Sequence, residues 1–195
     1  MIIGVSGAQG QGKSTLIKAA LKDGWYFDLG LQTSRETLND WGYSLSEVNS
    51  YIPLKIKFQE ELFSRHCAGL DGHKGVDLGN PTTLVERTFA DIFAYALLSV
   101  GPFNDHSVWL NDYAARCSEA QQDYFDHIVF LSGREYTPEN DGVRSINPHF
   151  SDMADHLISK YTNLFGNVTH LRMADLGERV AALSDINERL KTGAI

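Results

Sequence analysis

The sequence predicts one α/β domain of three layers, in which helices cover both faces of a five-stranded parallel sheet. Five short apolar runs are separated by stretches that are long enough for helical crossovers between parallel strands. The first run leads directly into a glycine-rich turn and a helical pattern, which is typical of a strand-to-helix unit. With 195 residues, the chain fits a single domain over 1–195.

The elements follow in a regular order. The apolar runs predict strands at Ile2–Ser6, Trp25–Leu29, Thr82–Glu86, His127–Ser132 and Val168–Met173. Apolar spacing and end signals predict helices at Lys13–Lys22, Ser46–Asn49, Leu54–Cys67, Phe89–Val100, Asp105–Gln122, Asp152–Phe165 and Leu176–Lys191. Neither a repeat nor a linker interrupts this order, so we expect one hydrophobic core.

Composition limits the classes of function. The formal net charge of −8 gives no overall basic field for nucleic acid or an anionic membrane, although a local basic cleft stays open. The two cysteines, Cys67 and Cys117, do not resemble a disulfide framework, so a reduced cytoplasmic setting is expected. We expect no signal peptide, because the glycine-rich turn begins within the first seven residues. We expect no membrane span, because the chain has no apolar run of 18 residues.

The segment that follows the first strand has the pattern of a phosphate-binding loop. It reads G-A-Q-G-Q-G-K-S-T from Gly7 to Thr15. Glycines let the backbone N–H groups approach phosphate oxygens, Lys13 places a charge on them, and the Ser14 hydroxyl is a ligand for Mg²⁺. The expected nucleotide-binding residues are Gly7, Gln9, Gly10, Gln11, Gly12, Lys13, Ser14 and Thr15.

A second polar group ends the third predicted strand, where Glu86 and Arg87 follow an apolar run. In open parallel sheets, ligands bind beyond the carboxyl ends of the strands. If the bound nucleotide donates a phosphoryl group to an acceptor hydroxyl, Glu86 is a candidate to assist Mg²⁺ or to take the proton of that hydroxyl. Arg87 is a candidate to hold the acceptor or the transferred phosphoryl group. A plain ion pair at the end of a strand is the alternative.

Two further segments are candidates for the acceptor site. Arg35 and Glu36 follow the second strand and suit an acceptor that carries phosphate or sugar, but Thr33 or Ser34 with Glu36 also resembles a helix-capping box. Phe58 and Gln59 lie on a predicted helix, where the ring can stack on a base and the amide can read its edge. A core phenylalanine and a solvated glutamine are the alternative.

A polar stretch at approximately 134–150 carries Arg134 and Arg144 and suits a lid that closes over the triphosphate. A mobile surface loop is the alternative. Asp175 follows the fifth strand, where a nucleotide base can rest. The seven histidines are not spaced as metal ligands, and no zinc site is expected.

Taken together, these motifs resemble small P-loop kinases of the nucleoside and nucleotide kinase type. The resemblance is strongest to a phage and bacterial ATPase/kinase family related to the ribosylnicotinamide kinase domain of NAD regulators. It rests on the glycine-rich loop, T-S-R-E at 33–36, F-Q-E-E at 58–61, E-R-T-F-A-D-I-F-A-Y at 86–95 and D-G-V-R-S at 141–145. Thymidylate kinases follow Thr-Arg-Glu with proline, whereas this chain inserts Ser34 and lacks the proline.

The resemblance implies a three-layer P-loop NTPase fold with a short lid, and an ATP- and Mg²⁺-dependent kinase acting on a nucleoside-like or nucleotide-like acceptor. The residues expected to carry catalysis are Lys13, Glu86, Arg87, Arg134 and Arg144. Phage-type kinases of hydroxymethylpyrimidine in DNA are one alternative. A non-kinase ATPase or switch is another, although the N-K-x-D and D-x-x-G motifs of GTPases are absent. A homodimer is left open, as is the host cytoplasm as location if the protein is phage-encoded.

Overall fold

A parallel sheet lies at the centre of the computed structural model, which describes residues 1–24, 26–31, 34–73, 82–101, 106–133, 147–172 and 175–195. Its strands are β1 Ile2–Ser6, β2 Tyr26–Asp28, β3 Thr82–Glu86, β4 His127–Leu131 and β5 Val168–Leu171. Within these residues the strand order is β2-β3-β1-β4-β5, with the three-residue β2 at one edge. The prediction of an α/β fold built on a parallel sheet is confirmed.

Helices connect the strands and cover the sheet. They are α1 Lys13–Ala20, α2 Ser34–Trp41, α3 Leu45–Asn49, α4 Ile52–His73, α5 Phe89–Val100, α6 Ser107–Tyr124, α7 Pro148–Phe165 and α8 Leu176–Lys191. A short 3-10 turn, Leu21–Asp23, follows α1. Both α5 and α8 have the predicted bounds, because their apolar spacing and end signals agree with their packing.

Three helices differ most from the prediction: α2, α4 and α7. α7 begins at Pro148 rather than at Asp152, so 148–150, which were expected in the lid, are helical. α2 was not predicted, since its sequence is mostly polar and only Thr37 and Leu38 are buried in it. α4 is longer than the predicted Leu54–Cys67, although glycines near its end were expected to begin a loop. Leu70 is 0% exposed in the core, and its packing outweighs the low helix propensity of glycine.

The sheet is buried on both faces. On one face, Ile3 and Val5 of β1 pack with Leu16 of α1 and Leu183 of α8. The opposite face carries a second core with α4, α5 and α6, in which Phe89 is 0% exposed. Every residue of β1 is buried. Burial on both faces explains why the strand is apolar up to its last residue, Ser6.

The register of the sheet brings two carboxyl ends together. β1 pairs in parallel with β3, so that Val5 lies opposite Glu86. The residues that follow both strands therefore meet at the carboxyl end of the sheet. In the part of the chain that the structure describes, no helix combines the length and apolar character needed to cross a membrane.

Candidate active site

The glycine-rich loop joins β1 to α1 at the carboxyl end of the sheet. Gly12 is the N-cap of α1 and has φ 87°, in the left-handed region that glycine adopts readily. Gly7 has φ 138°, and a Cβ on it would lie 2.6 Å from the backbone oxygen of Leu131. The loop therefore needs glycine at both positions, once for its turn into the helix and once for a close approach to β4.

Lys13 directs its ammonium back into the loop. Its Nζ donates to the backbone oxygens of Gly7 at 2.7 Å and Ala8 at 2.9 Å, and the side chain is 5% exposed. The first turn of α1 contains no acidic residue, so the positive end of the helix dipole is not offset there. This combination favours an anion at the loop.

Ser14, in the first turn of α1, meets Glu86 at the end of β3. The Ser14 hydroxyl donates to Glu86 Oε2 at 2.7 Å. A hydroxyl and a carboxylate are hard oxygen donors, the kind that Mg²⁺ prefers. No group of three or more histidine, cysteine or acidic side chains among the described residues is arranged to hold a metal ion. The pair thus fits an ion that takes most of its ligands from phosphate and water.

Arg87 adopts an uncommon backbone conformation next to the loop. Its φ is 74°, a value that costs energy for a residue with a Cβ. The backbone N–H donates to Val5 at 3.0 Å, and the guanidinium lies 5.1 Å from the centre of the Tyr95 ring. Burial lowers the pKa of Arg87, but Tyr95, Asp91 and Glu86 raise it by more, so the guanidinium keeps its charge.

Asp91 was not among the residues that the sequence singled out. Its carboxylate is 0% exposed and accepts from the Ser6 hydroxyl at 2.6 Å and the Gly7 N–H at 3.2 Å. It also accepts from the Thr88 N–H at 3.0 Å and the Thr88 hydroxyl at 2.8 Å. Asp91 therefore ties the start of the loop to the start of α5. The spacing Thr88-x-x-Asp91 is a capping-box pattern, a signal that could have found it.

Arg179 of α8 is a second residue that the sequence did not single out. It is 1% exposed, and its guanidinium donates to the backbone oxygens of Gln11 and, at 2.7 Å, of Ser132. It thereby holds the loop against the end of β4. Asp175, for which we considered a place near a nucleotide base, accepts from the Glu178 N–H at 2.9 Å and caps α8.

Helix α7 also supports the loop. Gln9 Nε2 donates to the Ser151 hydroxyl at 3.1 Å. One turn further along, Asp155 accepts a hydrogen bond from the Ala8 backbone. Burial raises the pKa of Asp155, although the Ala8 hydrogen bond and the charge of Lys13 oppose the increase. Gln9, predicted as a nucleotide-binding residue, thus takes part in fixing the loop to a neighbouring helix.

On the acceptor side, Phe58 and Gln59 have different surroundings. Phe58 packs in a small core with Leu38 and Val48, with the Trp41 ring 5.7 Å away at 75°. This packing favours the core alternative for Phe58. Gln59 is 5% exposed, and its Oε1 is buried without a hydrogen-bond partner among the described residues. A buried oxygen in that state gains free energy from a donor.

The remaining predicted residues divide into two groups. Arg35 and Glu36 lie exposed in the first turn of α2. Arg134 and Arg144 lie outside the described residues, as do Thr33 and most of the expected lid, 134–146. The structure therefore brings Lys13, Ser14, Glu86 and Arg87 together at the carboxyl end of the sheet. The other predicted nucleotide-binding residues lie beside them: Gly7, Gln9, Gly10, Gln11, Gly12 and Thr15.

No protein-family model and no curated protein matches the sequence. Solved structures do match. Deoxyadenosine kinase from M. mycoides with bound dATP has a TM-score of 0.67 at 12% identity, over 96% of this chain and 100% of that chain. The same enzyme with products dCMP and a flexible dCDP bound has a TM-score of 0.62 at 15% identity, over 100% of both chains.

Thymidylate kinase from Candida albicans is a further match, with a TM-score of 0.62 at 15% identity, over 97% of this chain and 92% of that chain. These identities are low, so the likeness establishes the fold. The chain has the P-loop fold of nucleoside and nucleotide kinases. The narrower resemblance to a phage and NAD-regulator family stays a prediction.

Proposed function

We propose that this protein is an ATP- and Mg²⁺-dependent kinase that transfers the γ-phosphoryl group to a nucleoside or nucleotide. One observation carries the proposal: a lysine inside a glycine-rich loop lies beside a serine–glutamate pair and an arginine at the ends of neighbouring strands. Phosphoryl transfer depends mainly on positioning and charge neutralisation. These four side chains supply both.

On the donor side, Lys13 and the loop N–H groups bind the phosphates of ATP. Ser14 and Glu86 hold the metal ion, which supplies charge neutralisation at the phosphates when it is bound. As the alternative to a place on the metal, Glu86 is the candidate to receive the proton of the acceptor hydroxyl. Arg87 remains charged and binds the transferred group.

On the acceptor side, the buried amide oxygen of Gln59 lacks a hydrogen-bond partner within the described part of the chain. A glutamine amide can pair with the edge of a nucleic acid base. Arg35 and Glu36 of α2 are the candidates to bind the phosphate or sugar. Arg134 and Arg144, which lie outside the described residues, stay the sequence-based candidates for the lid. The structural neighbours support a deoxynucleoside or nucleotide as acceptor, since one is a deoxyadenosine kinase and another a thymidylate kinase.

An acceptor screen with γ-labelled ATP tests the proposal. We expect label to appear on at least one deoxynucleoside or nucleoside monophosphate, and ATP consumption to depend on that acceptor. The screen includes ribosylnicotinamide and duplex DNA that contains hydroxymethylpyrimidine. Label on DNA alone would instead indicate the base-modification kinase. Rapid phosphate release with no acceptor would indicate a non-kinase ATPase and would contradict the proposal.

A further inference from the structure

A hydrogen bond from α6 reaches the backbone of α4 at Gln59. Tyr113 is 0% exposed, and its hydroxyl donates to the Gln59 backbone oxygen at 2.7 Å. Residue 59 lies inside α4, where each carbonyl already accepts the N–H four residues later. The tyrosine is therefore an additional donor. It fixes the α4 backbone at Gln59, whose side-chain oxygen has no partner in the residues that the structure describes.

The Tyr113 ring is itself held by its neighbours. The Trp109 ring stacks on it with centroids 4.8 Å apart and planes at 20°. The Arg116 guanidinium lies 5.2 Å from the Tyr113 ring centre and 5.4 Å from that of Phe63. A ring that stacks on an indole and lies close to a cation has little freedom to move its hydroxyl.

The residue after Gln59 is tied to the same helix. Arg116 donates to both carboxylate oxygens of Glu60, at 2.6 and 2.9 Å. The Trp109 indole N–H donates to Glu60 Oε1 at 2.7 Å. Two successive residues of α4 are thus joined to α6, one through its backbone and one through its side chain.

We propose that Tyr113 is a positioning residue for acceptor recognition, which sets the place of the Gln59 amide through the α4 backbone. The inference rests on the proposed function. An amide that reads a base needs its hydrogen-bonding atoms placed to within a few tenths of an ångström, and rigid support supplies that precision. The Gln59 amide oxygen has no hydrogen-bond partner among the described residues, so in this part of the chain the backbone and packing determine its position.

The chain contains a matched control on the same pair of helices. Tyr124 of α6 donates to the Asp71 carboxylate of α4 at 2.7 Å. Asp71 follows Gln59 by 12 residues, which is about 18 Å along a helix. Tyr113→Phe and Tyr124→Phe each remove one hydroxyl that joins α6 to α4. The first acts at the proposed acceptor residue and the second acts far from it.

The experiment compares steady-state kinetics of the wild type and both variants, using the best acceptor from the screen. We expect Tyr113→Phe to raise the acceptor KM about tenfold, as loss of one buried hydrogen bond can do. It should leave the KM for ATP unchanged and reduce discrimination between acceptors that differ in the base. Tyr124→Phe should change none of these values. Thermal unfolding of each variant checks that the fold is intact.

Other outcomes are informative in different ways. If the wild type transfers phosphate but Tyr113→Phe leaves the acceptor KM unchanged, or raises both KM values equally, the positioning role is wrong and the proposed function stands. An equal effect of Tyr124→Phe also overturns it. If the wild type transfers phosphate to no nucleoside or nucleotide, both proposals fail. Should Tyr113→Phe not fold, Glu60→Gln is the second variant, and an unchanged acceptor KM there contradicts the inference.

Discussion

Asp91 connects two segments of the chain through one buried carboxylate: the end of β1 with the start of the loop, and the start of α5. It accepts hydrogen bonds from Ser6, Gly7 and Thr88. The loop and Arg87 lie on either side of these contacts, so the carboxylate holds the two halves of the candidate site in a fixed relation. Its role is structural support for the site, since its side chain is buried and its four described hydrogen bonds all come from Ser6, Gly7 and Thr88.

The variant Asp91→Asn keeps the size of the side chain but replaces an acceptor oxygen with a donor NH₂ group. We expect the free energy of unfolding to fall by about 2–4 kcal/mol, because buried hydrogen bonds to a carboxylate are lost. Urea unfolding measures the change. Asp152→Asn, an exposed position on α7, is the control and should be nearly neutral. Equal stability of the two variants would contradict the role given to Asp91.

His66 gives the stability a specific dependence on pH. It is 5% exposed in α4, with the Phe89 ring 4.9 Å away at 85°. Burial, together with the charge of Arg87, lowers its pKa from 6.5 to about 3. The folded state therefore excludes a proton that the unfolded state binds below pH 6.5. The stability contribution of neutral His66 is complete above that pH and is lost as the pH falls towards 3.

Between pH 7 and pH 5, this linkage should cost the wild type about 2 kcal/mol of unfolding free energy. His66→Leu replaces the titrating group with an apolar side chain. Between pH 7 and pH 5, its free energy of unfolding should therefore fall by about 2 kcal/mol less than that of the wild type. Urea unfolding at both pH values provides the comparison. His127 and His170, whose pKa values burial also lowers, are common to both proteins. An identical pH dependence would mean that His66 is protonated in the folded state.

At the scale of elements, the loop and α1 act together on an anion. Lys13→Ala removes the ammonium from the loop, and we expect affinity for ATP to fall by roughly ten- to a hundredfold, as for loss of a charged hydrogen bond. Titration calorimetry with an ATP analogue measures it. Lys18→Ala, an exposed position on the same helix, is the control for net charge. Unchanged affinity in Lys13→Ala would show that phosphate binds elsewhere.

Elements were predictable where local signals and packing agree. The strands β1 and β3 and the helices α5 and α8 have continuous apolar or helical patterns, and their predicted bounds match the observed ones. α2 could not be found in this way, because only two of its eight residues are buried. Its helical state depends on contacts with distant parts of the chain, which local propensity does not contain.

The same distinction applies to the candidate site. Lys13 and Ser14 belong to a local motif, and Glu86 could be placed because it ends a buried strand. Asp91 reaches Gly7 across 84 residues. Arg179 donates only to backbone oxygens in its described contacts with Gln11 and Ser132. A partner that is a backbone carbonyl leaves no side-chain pattern in the sequence, so this contact could be known only from the fold.

For the whole molecule, the strand order decides where the site lies. Because β1 has β3 on one side and β4 on the other, the loop after β1 meets Glu86 on one flank and Ser132 on the other. The parallel sheet and its layers follow from the alternation of apolar runs with helical patterns. The order of strands within the sheet does not, since a sequence of five apolar runs is compatible with several orders.

The support of the loop by Arg179 has a consequence for synthesis. Gln11 and Arg179 are 168 residues apart, and α8 must dock on the sheet before their contact exists. Contacts of such long range form late, after the local helices. On the ribosome, the glycine-rich loop emerges before α8, because Gln11 precedes Arg179 by 168 residues. The loop gains this anchor only when α8 has left the exit tunnel, so a nascent chain carries the loop without its Arg179 support until then.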